Sequence, residues 1–280
     1  LAEQGQFRQA HEVAARGTRA ATIAGHAYVK AIASTFAGLV WHSQGEVDRA
    51  LPILQQGLDT CLEHHLHVWR PIVSALLGHA CVLQGRVPHG LDLLTGAAAL
   101  TEQLQVLAYR ALWSARLAEA LLVAGQLPEA LETARRAVAL ALEHKERGNH
   151  ARALVVLGTA CLRLGPASFD SARDYLQQGL AEAEQLHMRP LLARAYDVVG
   201  RLAGEQGDTA TAWQMRETSK TIGRELGLAA WWDVLVNPPP AASERPPELR
   251  SHPRVPLAWP VTVNIGQRRL HLQTTNLSAL

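Results

Sequence analysis

The chain has 280 residues, 48% of them hydrophobic, 19% charged and 5% aromatic, with a formal net charge of +2. This is the composition of a helical protein rich in Ala, Leu, Gln, Glu and Arg that can bury a continuous core. The longest uncharged stretches, 31–45 and 71–85, are short and carry Gly, His and Gln, so no transmembrane helix is expected.

Charge is unevenly placed. Residues 237–280 hold five Arg against two Glu, leaving 22 of the 27 basic and 23 of the 25 acidic residues to the first 236. The helical part is therefore neutral and the tail basic. No nucleic-acid partner is expected. Cys61, Cys81 and Cys161 show no metal-type spacing, and the last two fall at the same position in two different repeats. They read as small core residues, and with nothing pointing to export a cytoplasmic protein is expected.

Apolar residues at i, i+3, i+4 and i+7 predict, in chain order, helices over 7–24, 28–44, 47–64, 68–84, 88–104, 107–124, 128–145, 150–164, 169–187, 190–206 and 209–226. Gly5, Gly45, Gly85, Gly125 and Gly165 recur at one constant interval, and Gly207 follows after that interval plus two positions. Ala10, Ala50, Gly90, Ala130, Ala172 and Ala212 recur after them, and Gly38, Gly78, Ala118, Gly158 and Gly200 before all but the first. Small residues in three registers mark close approaches of helix backbones, so each unit reads as a helical hairpin turning at its glycine. Asp208 and Pro128 suit helix N-termini. The chain opens on Leu1, one turn before a repeat glycine, and is expected to be part of a longer protein.

A small residue, then Gly seven positions on and Ala five beyond it, as in Gly38, Gly45 and Ala50, resembles the tetratricopeptide repeat over residues 1–226. The unit exceeds that family's usual length of about 34 residues by about six. It is similar to the signalling-type repeats of bacterial ATPase regulators related to the maltose activator, and of cyclase and kinase relatives. HEAT repeats have a period of about 40 residues, as here, but the three small-residue registers favour the tetratricopeptide pattern. The fold class expected is all-α, a solenoid of hairpins over 1–236 in which each repeat contacts only its neighbours. Residues 228–236, with Trp231 and Trp232, are expected to form a short helix capping the last repeat.

Residues 237–249 carry five prolines and read as a linker. From Arg250 the pattern alternates through Val261, Val263 and Ile265, turns at Gly266-Gln267, and resumes with Leu270, Leu272 and Thr274, predicting a β-hairpin. Its flanks, Arg250-Ser251-His252-Pro253-Arg254 and Asn276-Leu277-Ser278, resemble the RxxxR and (D/N)xSxxG signatures of the PilZ domain, the second cut short at Leu280. The resemblance implies that 250–280 begins a β-barrel that binds cyclic di-GMP. Arg250 and Arg254 would stack on guanine, grip its edge or pair with phosphate, and Asn276 and Ser278 would add hydrogen bonds. Cyclic di-GMP is the one ligand expected, and no cofactor.

By the same resemblance to tetratricopeptide arrays the leading helices line a concave groove, which places His42, His79, Glu119, Arg152, Thr159, Arg163, Arg194 and Arg201 near it. His79, Arg152, Arg163, Arg194 and Arg201 are the candidate protein-binding residues. The clamp by which chaperone-binding arrays hold a carboxylate is missing, its slots holding Thr35/Leu39, Ala75/His79, Ala115/Glu119, Val155/Thr159 and Asp197/Arg201. The run Glu63-His64-His65-Leu66-His67 sits at a helix C-terminus, where dipole interaction accounts for it, and no metal site is expected. With no GxxxxGK[ST], GxSxG or HExxH, no catalytic residues are expected. The expectation is a non-catalytic regulatory and protein-interaction region of a bacterial signalling protein. The alternative is the regulatory tail of a larger ATPase, kinase or nucleotide cyclase.

Overall fold

In a computed structural model, residues 1–105, 109–229, 233–236, 259–265 and 268–274 are described. The chain divides into two compact units, Leu1–Ala241 and Ala242–Leu280. The first is helical throughout its described residues. After a 3₁₀ turn at Ala2–Gln4 come α1 (Phe7–Ala24), α2 (Ala27–Gln44), α3 (Val47–Glu63), α4 (Arg70–Leu83), α5 (Val87–Gln103) and α6 (Arg110–Val123). Then follow α7 (Leu127–Glu143), α8 (Arg147–Leu164), α9 (Phe169–Gln185), α10 (Arg189–Glu205), α11 (Thr209–Leu226) and α12 (Asp233–Val236).

Each predicted hairpin forms: α2 packs on α3, α4 on α5, α6 on α7, α8 on α9 and α10 on α11. Turns between leading and trailing helices use the periodic glycines, all with positive φ, from 76° at Gly125 to 96° at Gly165. Glycine takes that conformation without a Cβ penalty. Asp208 caps α11, its carboxylate accepting from the Thr211 amide at 3.0 Å.

A second set of turns, at the ends of the trailing helices, has the same period but uses glycine only at its first and last members. Gly25, His65, Gln105, Lys145, His187 and Gly227 all have φ between 52° and 71°. His65 thus occupies a left-handed turn position within the histidine run. Among the described residues, no group of His, Cys, Asp and Glu could hold a metal ion.

Close packing explains the small residues. A Cβ on Gly90 would lie 2.5 Å from the Gly78 carbonyl oxygen and 2.9 Å from the Val82 amide nitrogen. Burial separates two layers. All residues from Pro71 to Val82 in α4 and from Ala151 to Leu162 in α8 are buried, whereas α7 buries only Ala130, Ala134, Ala137 and Ala141. A helix apolar on one stripe lies outside, and one buried all round lies inside. Successive leading helices α2, α4, α6, α8 and α10 also touch one another, forming the inner wall.

The contacts of this unit are not confined to neighbouring repeats, which corrects the expectation from sequence. The Ala229 amide donates to the Gln44 carbonyl at 3.0 Å, and the Gln44 side chain to the Gly227 carbonyl at 3.3 Å. Leu226 and Leu228 pack on the cluster of Phe7, Ala10 and Val40. Curvature accumulated over the repeats brings the last hairpin back to the first. The expected cap differs as well. Within 228–236 the described helix is only Asp233–Val236, and it packs on α6 and α8 of the inner wall. Leu235 is buried there, as an aliphatic side chain would not be on an outer face.

In the second unit β1 (Trp259–Ile265) and β2 (Arg268–Thr274) pair antiparallel, with Val261 opposite Leu272 and Val263 opposite Leu270. The linker 237–249 and Arg250, Arg254, Asn276 and Ser278 lie outside the described residues.

Candidate functional site

The inner wall of the first unit carries a buried chain of polar groups contributed by five elements. At its centre is Glu119 of α6, fully buried. One carboxylate oxygen takes a hydrogen bond from Arg194 of α10, and the other from Arg116 of α6 at 3.0 Å. His79 Nε2 of α4 lies 2.8 Å from that second oxygen. On its far side, His79 Nδ1 is 2.8 Å from His42 Nε2 of α2. With both rings neutral, one assignment suits every distance: His42 Nε2–H donates to His79 Nδ1, and His79 Nε2–H donates to Glu119.

Electrostatics agree. Burial opposes ionisation of Glu119, but Arg194 and Arg116, with the His79 hydrogen bond, more than offset it and hold the carboxyl well below its usual range. Burial, reinforced by Arg116 and opposed by Glu119, pulls His79 down to about 4. His42 is likewise held well below its ordinary value, first by burial and then by Arg116. The arrangement orients a histidine by a carboxylate, as catalytic sites do, but His42, His79 and Glu119 are each fully buried. It ties α2, α4, α6 and α10 together.

Arg152 of α8 continues the line and pairs with Glu3 of the first turn. Arg116, Arg152, Arg194 and Glu3 border a cavity of about 20 Å³, the space of roughly one water. Arg163 and Arg201 stand apart from this group, beside α12. Arg163 donates to the Leu122 carbonyl and, at 3.3 Å, to the Leu235 carbonyl. Arg201 donates to Asp197 at 2.7 Å and pairs with Asp233. Clefts of about 610 and 430 Å³ are both lined by Arg201. Thr159 donates to Val155 within its own helix.

The five candidate residues therefore fall into two groups. His79, Arg152 and Arg194 are buried against the chain's own carboxylates, while Arg163 and Arg201 hold the C-terminal helix. Sequence reasoning did not single out Arg116, Glu3 or Asp233, and named Asp197 only as a non-matching clamp slot. Arg116 carried a local signal, three residues before Glu119 on one helix face. Glu3 and Asp233 carried none, because their partners are distant in sequence.

The three cysteines are buried and unbridged, and burial pushes the Cys61 thiol up to about 11, as expected of core residues. No described helix is long and apolar enough to cross a membrane.

No protein-family profile matches this chain, and no curated protein sequence matches it. Solved structures do. A Rap protein complexed with competence and sporulation factor is 15% identical, with a TM-score of 0.65, over 80% of this chain and 72% of that one. The apo form of RapI is 13% identical, with a TM-score of 0.64, over 80% and 79%. A signal transduction ATPase with a tetratricopeptide repeat sensor, from Pyrococcus horikoshii, is 11% identical, with a TM-score of 0.51, over 85% of this chain and 36% of that one. At these identities the likeness is one of fold. The first unit is a tetratricopeptide-like helical repeat array.

Proposed function

We propose that residues 1–236 are a non-catalytic protein-interaction region of a bacterial signalling protein, binding a partner segment along the inner wall. The observation that carries this is that Arg152, Arg163 and Arg201, on α8 and α10 of one wall, each reach a group from outside the repeats' inner helices. Two of them pair with acids from outside the repeats' inner helices, Glu3 and Asp233. A wall that collects carboxylates from separate parts of its own chain suits a carboxylate-bearing ligand. A similar fold holds competence and sporulation factor in the Rap complex, which supports the reading. Panning a random peptide library against the full chain tests it. Selected peptides should lose binding when Arg163→Glu and Arg201→Glu are introduced, and indifference to those changes would refute an inner-wall site.

The tail carries a separate proposal, a cyclic di-GMP-binding PilZ-like domain begun by residues 250–280. Two paired strands between Arg254 and Asn276 favour it. Titration calorimetry of a completed domain against cyclic di-GMP and cyclic di-AMP tests it: binding should be specific for guanine and lost with Arg250→Ala and Arg254→Ala. The repeat sensor of the signal transduction ATPase supports the alternative placement of this region, as the regulatory tail of an ATPase, kinase or cyclase. A P-loop or kinase motif upstream of Leu1 would establish that.

A further inference from the structure

Resting on the inner-wall reading above, we infer that the wall formed by α6, α8 and α10 is a docking site for a short peptide with an acidic residue two positions before a leucine. Helix α12 is the chain's own occupant of that site.

Three observations converge on α12. Its Leu235 is 1% exposed, although it belongs to a four-residue helix outside the repeats. Burying a leucine is the main apolar contribution such a segment can make. Arg163, on α8, donates to the Leu235 backbone carbonyl at 3.3 Å, a contact that reads a peptide backbone and not a side chain. Arg201, on α10, pairs with the Asp233 carboxylate while Asp197 holds the guanidinium from behind at 2.7 Å. A buried leucine, a gripped carbonyl and a paired acid are the contacts a groove makes with a bound peptide.

The surroundings leave room for exchange. A cleft of about 430 Å³ is lined by Asp233 itself and a second, of about 610 Å³, by Arg163 and Arg201, so the wall beside α12 is open. The Asp233 side chain is 60% exposed, so the pair it makes is weak and replaceable. Charge also favours an acidic entrant: Arg163, Arg201 and Arg216 line one cleft together with the single acid Glu205. A tethered occupant acts at an effective concentration in the millimolar range. An external peptide of the same chemistry must compete with it, which makes the chain's own C-terminal helix a threshold on partner binding.

The test uses a fluorescently labelled peptide of the sequence Ala-Ala-Trp-Trp-Asp-Val-Leu-Val-Asn-Pro, taken from positions 229–238. Its anisotropy is read against the full chain and against the full chain carrying Asp233→Arg with Leu235→Ser. The vacated chain should bind at least about 10-fold more tightly than the unaltered one, the change expected when a competing tether is removed. A peptide with its Asp replaced by Arg and its Leu by Ser should not bind. Adding Arg201→Glu to the vacated chain should weaken binding of the original peptide and favour one with Arg at the Asp position. Equal binding by the two chains, no binding by the vacated chain, or indifference to the peptide's Asp and Leu would overturn the inference.

Should the vacated chain lose its helical circular dichroism, the unaltered chain gives the answer. In the ¹⁵N-labelled full chain, excess peptide should accelerate amide exchange at 233–236, and unchanged exchange would overturn the inference. Library peptides that depend on Arg163 and Arg201 but lack the Asp-x-Leu pattern would sink this inference while leaving the inner-wall reading standing. Peptides indifferent to both arginines would sink that reading itself.

Discussion

Glu119→Gln removes one charge and little volume, and should be among the most damaging single changes in the chain. The carboxylate is fully buried, and the two guanidinium groups it receives, Arg116 and Arg194, are 3% and 2% exposed. An amide cannot balance them, and its NH₂ group would face donors. Breaking a buried pair by removing one partner costs about 3–5 kcal/mol, because a charge remains in a medium that cannot solvate it. Against a typical total stability of about 5–15 kcal/mol, that is a large fraction. Glu102→Gln provides the control. Glu102 meets Arg136 and Arg110 on the surface, with half its side chain exposed, so its loss should cost less than about 1 kcal/mol. Urea denaturation followed by circular dichroism would measure both, in low and high salt. Only the Glu102 effect should shrink with salt, since buried pairs are poorly screened. If Glu119→Gln shifted the midpoint no more than Glu102→Gln, the buried network would not be what joins α2, α4, α6 and α10.

Stability should fall on mild acidification. His79 is drawn down to about 4 by burial, so between its ordinary 6.5 and 4 the unfolded chain binds the proton first and stability is lost as pH falls. That shift corresponds to about 3 kcal/mol by pH 4, with His42 acting in the same direction, and below about 4.5 the depressed Glu119 adds to it. Urea midpoints measured from pH 7.5 to 4.5 should decline, and His79→Asn should flatten that slope. Two glycines on α5 should respond oppositely to Ala. Gly90→Ala would force a Cβ onto the backbone of α4 and cost about 1–3 kcal/mol, whereas Gly96, with nothing within 4 Å, should gain roughly 0.5–1 kcal/mol. Thermal melts of the pair would show the opposite signs. Deleting the complete unit 85–124 keeps the repeat register but removes Arg116 and Glu119. Circular dichroism should therefore show helix retained per residue with a midpoint lowered at least as far as by Glu119→Gln.

The sequence by itself determined the local structure of the first unit. Helix boundaries such as 7–24 and 209–226, and the glycine turns at 5, 45, 85, 125, 165 and 207, were legible because helical periodicity and positive φ leave marks within a few residues. The second set of turns was not, since His65, Gln105, Lys145 and His187 take left-handed conformations without glycine. Polar positions on the leading helices were also visible one at a time, His42, His79 and Glu119 among them. That they form one line was decided by tertiary structure. So were the pairing of Arg194 with Glu119 across 75 residues and of Arg152 with Glu3 across 149. The destination of α12 belongs to the same class. Each repeat interface adds a small rotation, and where the chain's ends arrive depends on the sum of all of them, which no short window of sequence records.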